Sequence, residues 1–167
     1  MRENAKDRIV IDGYRPGALG RVAELHATYY HRQWGFGLFF EAKVASGLAE
    51  FLGRMDPEKD SFWGAYLEGR LIGSIVIDCG EDPKKGAHLR WFILDPELQG
   101  SGMGRILLDR AMSFCRDKGF HRVYLWTFAG LEAARRLYDQ AGFTIREELD
   151  NDQWGKVMKE QLMEWRP

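Results

Sequence analysis

Between Leu94 and Arg105 the chain runs LDPELQGSGMGR, with glycines at alternate positions, Gly100, Gly102 and Gly104. Four apolar residues, Trp91 to Leu94, lead into it, and ILLDRAMSFCRDKG, patterned as an amphipathic helix, follows. A strand, a glycine-rich turn and a helix in that order make a place for an anion. Backbone N–H groups at a helix N-terminus point outward, and missing side chains let a ligand approach them. Each glycine costs conformational entropy, and three are more than a helix cap needs. The loop is not a P-loop, because Gly104 is followed by Arg105 and Ile106 rather than by Lys and Ser or Thr. Its G-x-G-x-G spacing also departs from the G-x-G-x-x-G of a dinucleotide fold, and it lies far from the first strand.

Other residues are candidates by type. Arg90 sits inside the apolar stretch HLRWFIL, where strand alternation puts it on one face with His88, Phe92 and Leu94. A charge there needs a partner, either a structural carboxylate or the carboxylate of a substrate gripped by two donors. Cys79 and Cys115 have no C-x-x-C neighbour, and His26, His31, His88 and His121 form no H-E-x-x-H or H-x-H cluster. Two free thiols and no metal site are expected. The aromatic stretch TYYHRQWGFGLFF (28–40) is mostly core by its helical spacing.

These groups must be positioned by a chain of 167 residues with 45% hydrophobic and 29% charged side chains, the makeup of one globular domain. A net charge of −1 argues against a strongly basic nucleic-acid surface. The start, MRENAKDRIVIDGY, has no apolar core of a signal peptide, and no run of about 18 apolar residues suggests a membrane span. A cytoplasmic protein is expected. RIVIDGYR (8–15) suggests a strand. ALGRVAELHATYYHRQW (18–34) and FFEAKVASGLAEFL (39–52) suggest helices joined by a glycine turn. A hairpin is expected over 61–80 about the turn LEGR, then a strand at 88–94, a helix to about Lys118, a buried strand at 121–128 and a helix at 131–142. FTIREELD and KVMKEQLMEW complete the chain as an antiparallel pair. The order β-α-α-β-β-β-α-β-α-β-β predicts an α/β domain spanning 1–167, a single mixed sheet of six or seven strands with helices on both faces.

Gln99-Gly100-Ser101-Gly102-Met103-Gly104 fits the pattern Q/R-x-x-G-x-G/A, and LYDQAGF (137–143) lies at a matching distance downstream. With these motifs and this element order, the chain resembles the GNAT superfamily of acyl-CoA-dependent N-acetyltransferases, most strongly from His88 to Phe143. LRWFILDPELQGSGMG, LWTF and LEAARRLYDQAGF resemble the acetyltransferase halves that follow a MarR-type winged-helix domain in some bacterial proteins. A chain of this length has no room for that half, so a stand-alone relative without DNA binding is expected.

The resemblance implies acetyl transfer from acetyl-CoA to a primary amine of a small molecule, amino acid or peptide, by direct attack in a ternary complex without a metal. The alternative is a non-catalytic acyl-CoA-binding module. Tyr138 takes the place of the general acid that protonates the departing thiolate. His88 stands where some relatives carry a basic Glu, and a neutral imidazole there could accept the ammonium proton through water. Ile93, Leu94 and Asp95 would offer strand backbone to the pantetheine arm. Gln99 to Gly104 would take the pyrophosphate, with Arg105 adding charge. Leu131 replaces an Asn that many relatives use on that arm. The acceptor is expected among Tyr30, Trp34, Phe36, Arg90 and Trp126. A monomer or a homodimer paired through its last strands is expected.

Overall fold

The computed structural model describes residues 5–167. Seven strands form one sheet: β1 (Ile9–Asp12), β2 (Ser61–Leu67), β3 (Arg70–Asp78), β4 (Ala87–Leu94), β5 (Val123–Phe128), β6 (Thr144–Asn151) and β7 (Met158–Trp165). The helices are α1 (Ala18–Trp34), α2 (Leu38–Arg54), α3 (Met103–Asp117) and α4 (Glu132–Gln140). The sheet order is β1-β2-β3-β4-β5-β7-β6, and every neighbouring pair is antiparallel except β4 and β5. This is the mixed α/β architecture expected from the element order.

The first strand is shorter than its apolar pattern suggests. The Asp12 carboxylate accepts from the amide of Gly13 and from Arg15, a local turn that competes with the ladder. At the hairpin, Glu68 and Gly69 have φ of 52° and 81°, so both central residues are left-handed, as a two-residue hairpin turn requires. Gly35, at φ 72°, ends α1 by donating to the carbonyls of Tyr30 and His31 and turns the chain into α2.

Two cores lie on opposite faces of the sheet. Leu107, Leu108 and Met112 of α3 pack with Ile75, Leu89 and Leu125 on one face, and Leu25, Val44, Leu48 and Phe51 of α1 and α2 pack with Val76, Trp91 and Ile93 on the other. β3, between them, is buried from Leu71 to Asp78. Both thiols are buried and free, and burial pushes each up to about 12, so they stay protonated. Among the described residues no helix is long and apolar enough to cross a membrane, and no cluster of three or more His, Cys, Asp or Glu could hold a metal.

Candidate active site

β4 carries an irregularity that shapes the site. Arg90 pairs with Val76 and Ile93 with Ser74, so Trp91 and Phe92 together oppose the single Ile75. Trp91 takes φ 45°, a costly angle for a bulky residue, and its carbonyl accepts from the buried Ser74 hydroxyl at 2.8 Å. The extra residue reverses the alternation. Arg90 and Trp91 both lie on the α1/α2 side, while Phe92 and Leu94 pack on the α3/α4 side. The expectation that Phe92 and Leu94 share a face with His88 and Arg90 is therefore corrected, because simple alternation takes no account of a bulge.

Past this point β4 leaves β5. The two strands pair only at Ala87↔Val123 and His88↔Tyr124. The gap holds a cavity of about 190 Å³. Its wall includes His26 and Tyr30 of α1, Phe40 and Lys43 of α2, His88, Arg90 and Phe92 of β4, and Trp126 and Phe128 of β5. Tyr138 of α4 and the loop residues Gln153 and Trp154 complete it. Because α1 and α2 lie on one face of the sheet and α4 on the other, the cavity passes through the sheet.

Tyr138 is buried against Phe92 and Phe143, and its hydroxyl makes no hydrogen bond among the described residues. Burial, reinforced by the neighbouring Tyr30 phenol, raises its pKa well above the ordinary phenol range. His88 stacks on Tyr124 at 4.5 Å, and the Arg122 guanidinium covers the ring of Tyr124 at 4.4 Å. Burial first, then the positive charge of Arg90, pushes His88 down to about 3, so the imidazole is neutral. Arg90 has a structural partner: its Nη1 donates to Asp78 Oδ2 at 2.9 Å, and Arg54 grips the same carboxylate through two bonds of 3.0 Å.

The glycine loop divides its labour. A short 3₁₀ turn, Pro96–Leu98, separates it from β4. The amides of Gln99 and Ser101 are spent on the carbonyls of Pro96 and Leu98, and the Met103 amide on Ser101 Oγ at 3.3 Å. The amides of Gly100, Gly102, Gly104 and Arg105 have no hydrogen-bond partner among the described residues. Gly100 and Gly102, at φ 80° and 86°, are left-handed. Gly104 has a different reason to be glycine: a Cβ there would stand 3.1 Å from Leu137 Cδ1. It admits α4 against α3. The Arg105 guanidinium donates to Gln140 of α4. The Asp95 amide is spent on the Ile72 carbonyl, and its carboxylate accepts from Arg21 and from the Glu97 amide. Ile93 and Leu94 lie on the stretch of β4 that has no β5 partner.

The aromatic residues named from the sequence do not all meet. Tyr30 and Trp126 line the cavity. Phe36 does not, because Gly35 turns it inward to stack between Tyr30 and Phe40 in the core, 3% exposed. Trp34 lies edge-on to Phe128 and over Gly130, away from the lining. Four wall residues, His26, Lys43, Gln153 and Trp154, escape a reading of motifs. His26 is buried one turn before Tyr30, and its Nδ1 lies 2.8 Å from the Val22 carbonyl, which fixes the proton on Nδ1 and leaves Nε2 as an acceptor. Burial lowers it to about 4. The helical spacing Val22-His26-Tyr30 was the available signal. Gln153 and Trp154 had none, since their loop is held over the cavity by contacts distant in sequence: Lys43 Nζ donates to the Gln153 carbonyl, Lys156 Nζ to the Trp34 carbonyl, and Trp154 packs on Phe128.

Comparison with known proteins bears on this geometry. An uncharacterized N-acetyltransferase of Methanocaldococcus jannaschii is 23% identical over 135 residues, covering 78% of this chain and 59% of that protein. The N-acetylaspartate synthetase of Rattus norvegicus is 30% identical over 120 residues, covering 71% and 40%. The chain thus spans about half the length of these curated relatives. A putative acetyltransferase of Salmonella typhimurium, solved with its cofactor acetyl-CoA, superposes with a TM-score of 0.75 at 17% identity over 95% of this chain and 94% of that one. Residues 19–143 match the model of the acetyltransferase (GNAT) family, and the chain belongs to that family.

Proposed function

We propose that the protein is an acetyl-CoA-dependent N-acetyltransferase that acetylates a primary amine of a small molecule, amino acid or peptide. The observation that carries this reading is the cavity through the sheet, which has four unpartnered amides beside one face and Tyr138 in its wall. When bound, acetyl-CoA supplies an acetyl group activated as a thioester. The fit rests on this chain's own groups. The amides of Gly100, Gly102, Gly104 and Arg105 suit an anionic pyrophosphate at the start of α3, and the unpaired edge of β4 suits an amide-bearing arm. Relatives named N-acetylaspartate synthetase put amino acids among the first acceptors to try.

Amine and thioester would meet inside the sheet from opposite faces, which turns a bimolecular attack into a local one. The Tyr138 phenol, kept protonated by burial, donates a hydrogen bond to the departing sulfur. Among the described residues no carboxylate lines the cavity wall to receive the amine's proton. His88 and the Nε2 of His26 are the neutral acceptors on the wall, and as weak bases they pass the proton on to water rather than store it.

Thermal unfolding with acetyl-CoA, CoA, NADH and ATP tests the reading. A ligand at about 100 times its Kd adds roughly 2.7 kcal/mol, a rise on the order of 5–10 °C for a chain of this size. The expected result is a rise with acetyl-CoA and CoA only, followed by acceptor-dependent thiol release. No rise with CoA compounds, or a larger rise with NADH or ATP, overturns it. CoA binding with no turnover of any amine leaves a binding module instead.

A further inference from the structure

We infer that the acceptor carries a carboxylate as well as its amine, and that Arg90, assisted by Lys43, holds that carboxylate. The inference rests on the acetyltransferase reading and narrows the class of its substrate.

The argument begins with the charges on the cavity wall. Among the described residues two full positive charges line it, those of Lys43 and Arg90, and no Asp or Glu does. A site built for a polyamine would carry the opposite balance. Asp78, the one carboxylate that touches Arg90, lies behind the wall and is shared. Its Oδ2 accepts from both Arg54 and Arg90, and its Oδ1 accepts from Arg54 and from the Gly80 amide. Arg54 also bonds Glu50, which is exposed two turns along α2 from Lys43.

Arg90 is held in place, yet most of its donors are unused. Its guanidinium lies 4.0 Å over the Trp91 ring. Gly47 of α2 makes room for both: a Cβ there would stand 3.3 Å from the Trp91 ring and 3.6 Å from Arg90 Nη2. Only Nη1 makes a hydrogen bond, to Asp78. Nε and Nη2, the two nitrogens of one guanidinium edge, have no acceptor among the described residues, and that edge is the one a carboxylate takes in a forked pair. Lys43, one helical turn before Gly47, is exposed at the rim, and its Nζ spends one of three donors on the Gln153 carbonyl. Alternation with Ala87 and Leu89 puts Arg90 on this side of β4, and the bulge brings Trp91 to the same side beneath it.

The test compares amino acids with their decarboxylated counterparts as acceptors. Aspartate, phenylalanine and methionine are set against β-alanine, phenethylamine and 3-(methylthio)propylamine, with spermidine as the polyamine, and thiol release is followed at saturating acetyl-CoA. β-Alanine keeps the side-chain carboxylate of aspartate, so that pair asks which carboxylate matters. The best amino acid is expected to exceed its decarboxylated amine and spermidine in kcat/KM by about ten- to hundred-fold, the span of one charge-assisted pair. For that amino acid, Arg90→Gln should raise KM by a similar factor and Lys43→Gln by less, with the CoA-induced rise in melting temperature unchanged. Arg90→Gln removes the Arg90–Asp78 pair but leaves Asp78 both bonds to Arg54, and Lys43 is at the surface, so neither variant leaves a buried charge without a partner. Equal or faster transfer to phenethylamine, 3-(methylthio)propylamine or spermidine, which carry no carboxylate, overturns the inference and leaves the acetyltransferase reading standing. An unaltered KM in both variants overturns it as well. Absence of CoA binding, or of transfer to every amine, overturns the reading beneath it and the inference with it.

Discussion

Tyr138 brings its hydroxyl to the cavity without a hydrogen-bond partner among the described residues, so that hydroxyl holds no part of the fold together. Tyr138→Phe should therefore lower kcat by about 10²-fold, the range for a lost general acid, while leaving CoA affinity and melting temperature unchanged or slightly higher. Steady-state kinetics beside thermal unfolding separates this from a packing role, in which stability would fall along with rate. The two imidazoles lead to a second expectation. His26 and His88 are lowered to about 4 and about 3, so neither gains a proton as pH falls from 8 to 5. The profile of kcat/KM should rise with pH until the acceptor's own ammonium has ionised, with no break near the ordinary histidine value of about 6.5. Two acceptors of different amine pKa should move the break with them. A fixed break near 6.5 would mean that one imidazole is less desolvated than its surroundings imply.

Elements carry constraints that single residues do not. Gly104 belongs to the anion loop by motif, but its contact with Leu137 makes it the point where α3 meets α4. Gly104→Val should cost about 1–3 kcal/mol by overpacking. Adding Leu137→Ala should recover part of that, so the two changes are not additive, as a double-mutant cycle by denaturant unfolding would show. The loop, its following helix and the hairpin turn were legible in the sequence because each is local chemistry: glycine where φ is positive, an apolar stripe at helical spacing, two apolar runs about a short turn. The β4 bulge was not legible. It is set by Ser74, seventeen residues away, whose hydroxyl takes up the carbonyl that the bulge frees. Plain strand alternation puts Phe92 and Leu94 on the face of His88 and Arg90; the bulge sends those two to the other face and leaves His88 and Arg90 together on the cavity wall.

For the whole molecule, the order of elements was enough to give one mixed sheet with helices on both faces, because each element shows its own period and each connection is short. The wall of the cavity was not, since it is assembled from five helices and strands and a loop, α1, α2, β4, β5, α4 and the stretch of Gln153 and Trp154. His26, Lys43, Gln153 and Trp154 come together only after α1, α2 and the last loop are packed. Trp34 and Phe36, four and six residues on from Tyr30, are near it in sequence yet lie outside that wall. The sheet also has a division along its length. β1 to β4 form one leaf and β5, β7 and β6 the other, and two rungs, Ala87↔Val123 and His88↔Tyr124, are the whole backbone seam between them. A molecule that lies between the leaves would act as their missing rungs, so donor binding would complete the sheet, and local opening would begin at this seam whenever the donor leaves. Stability and catalytic readiness would then rise together, because the cleft that awaits the substrate is also where the sheet has its shortest ladder.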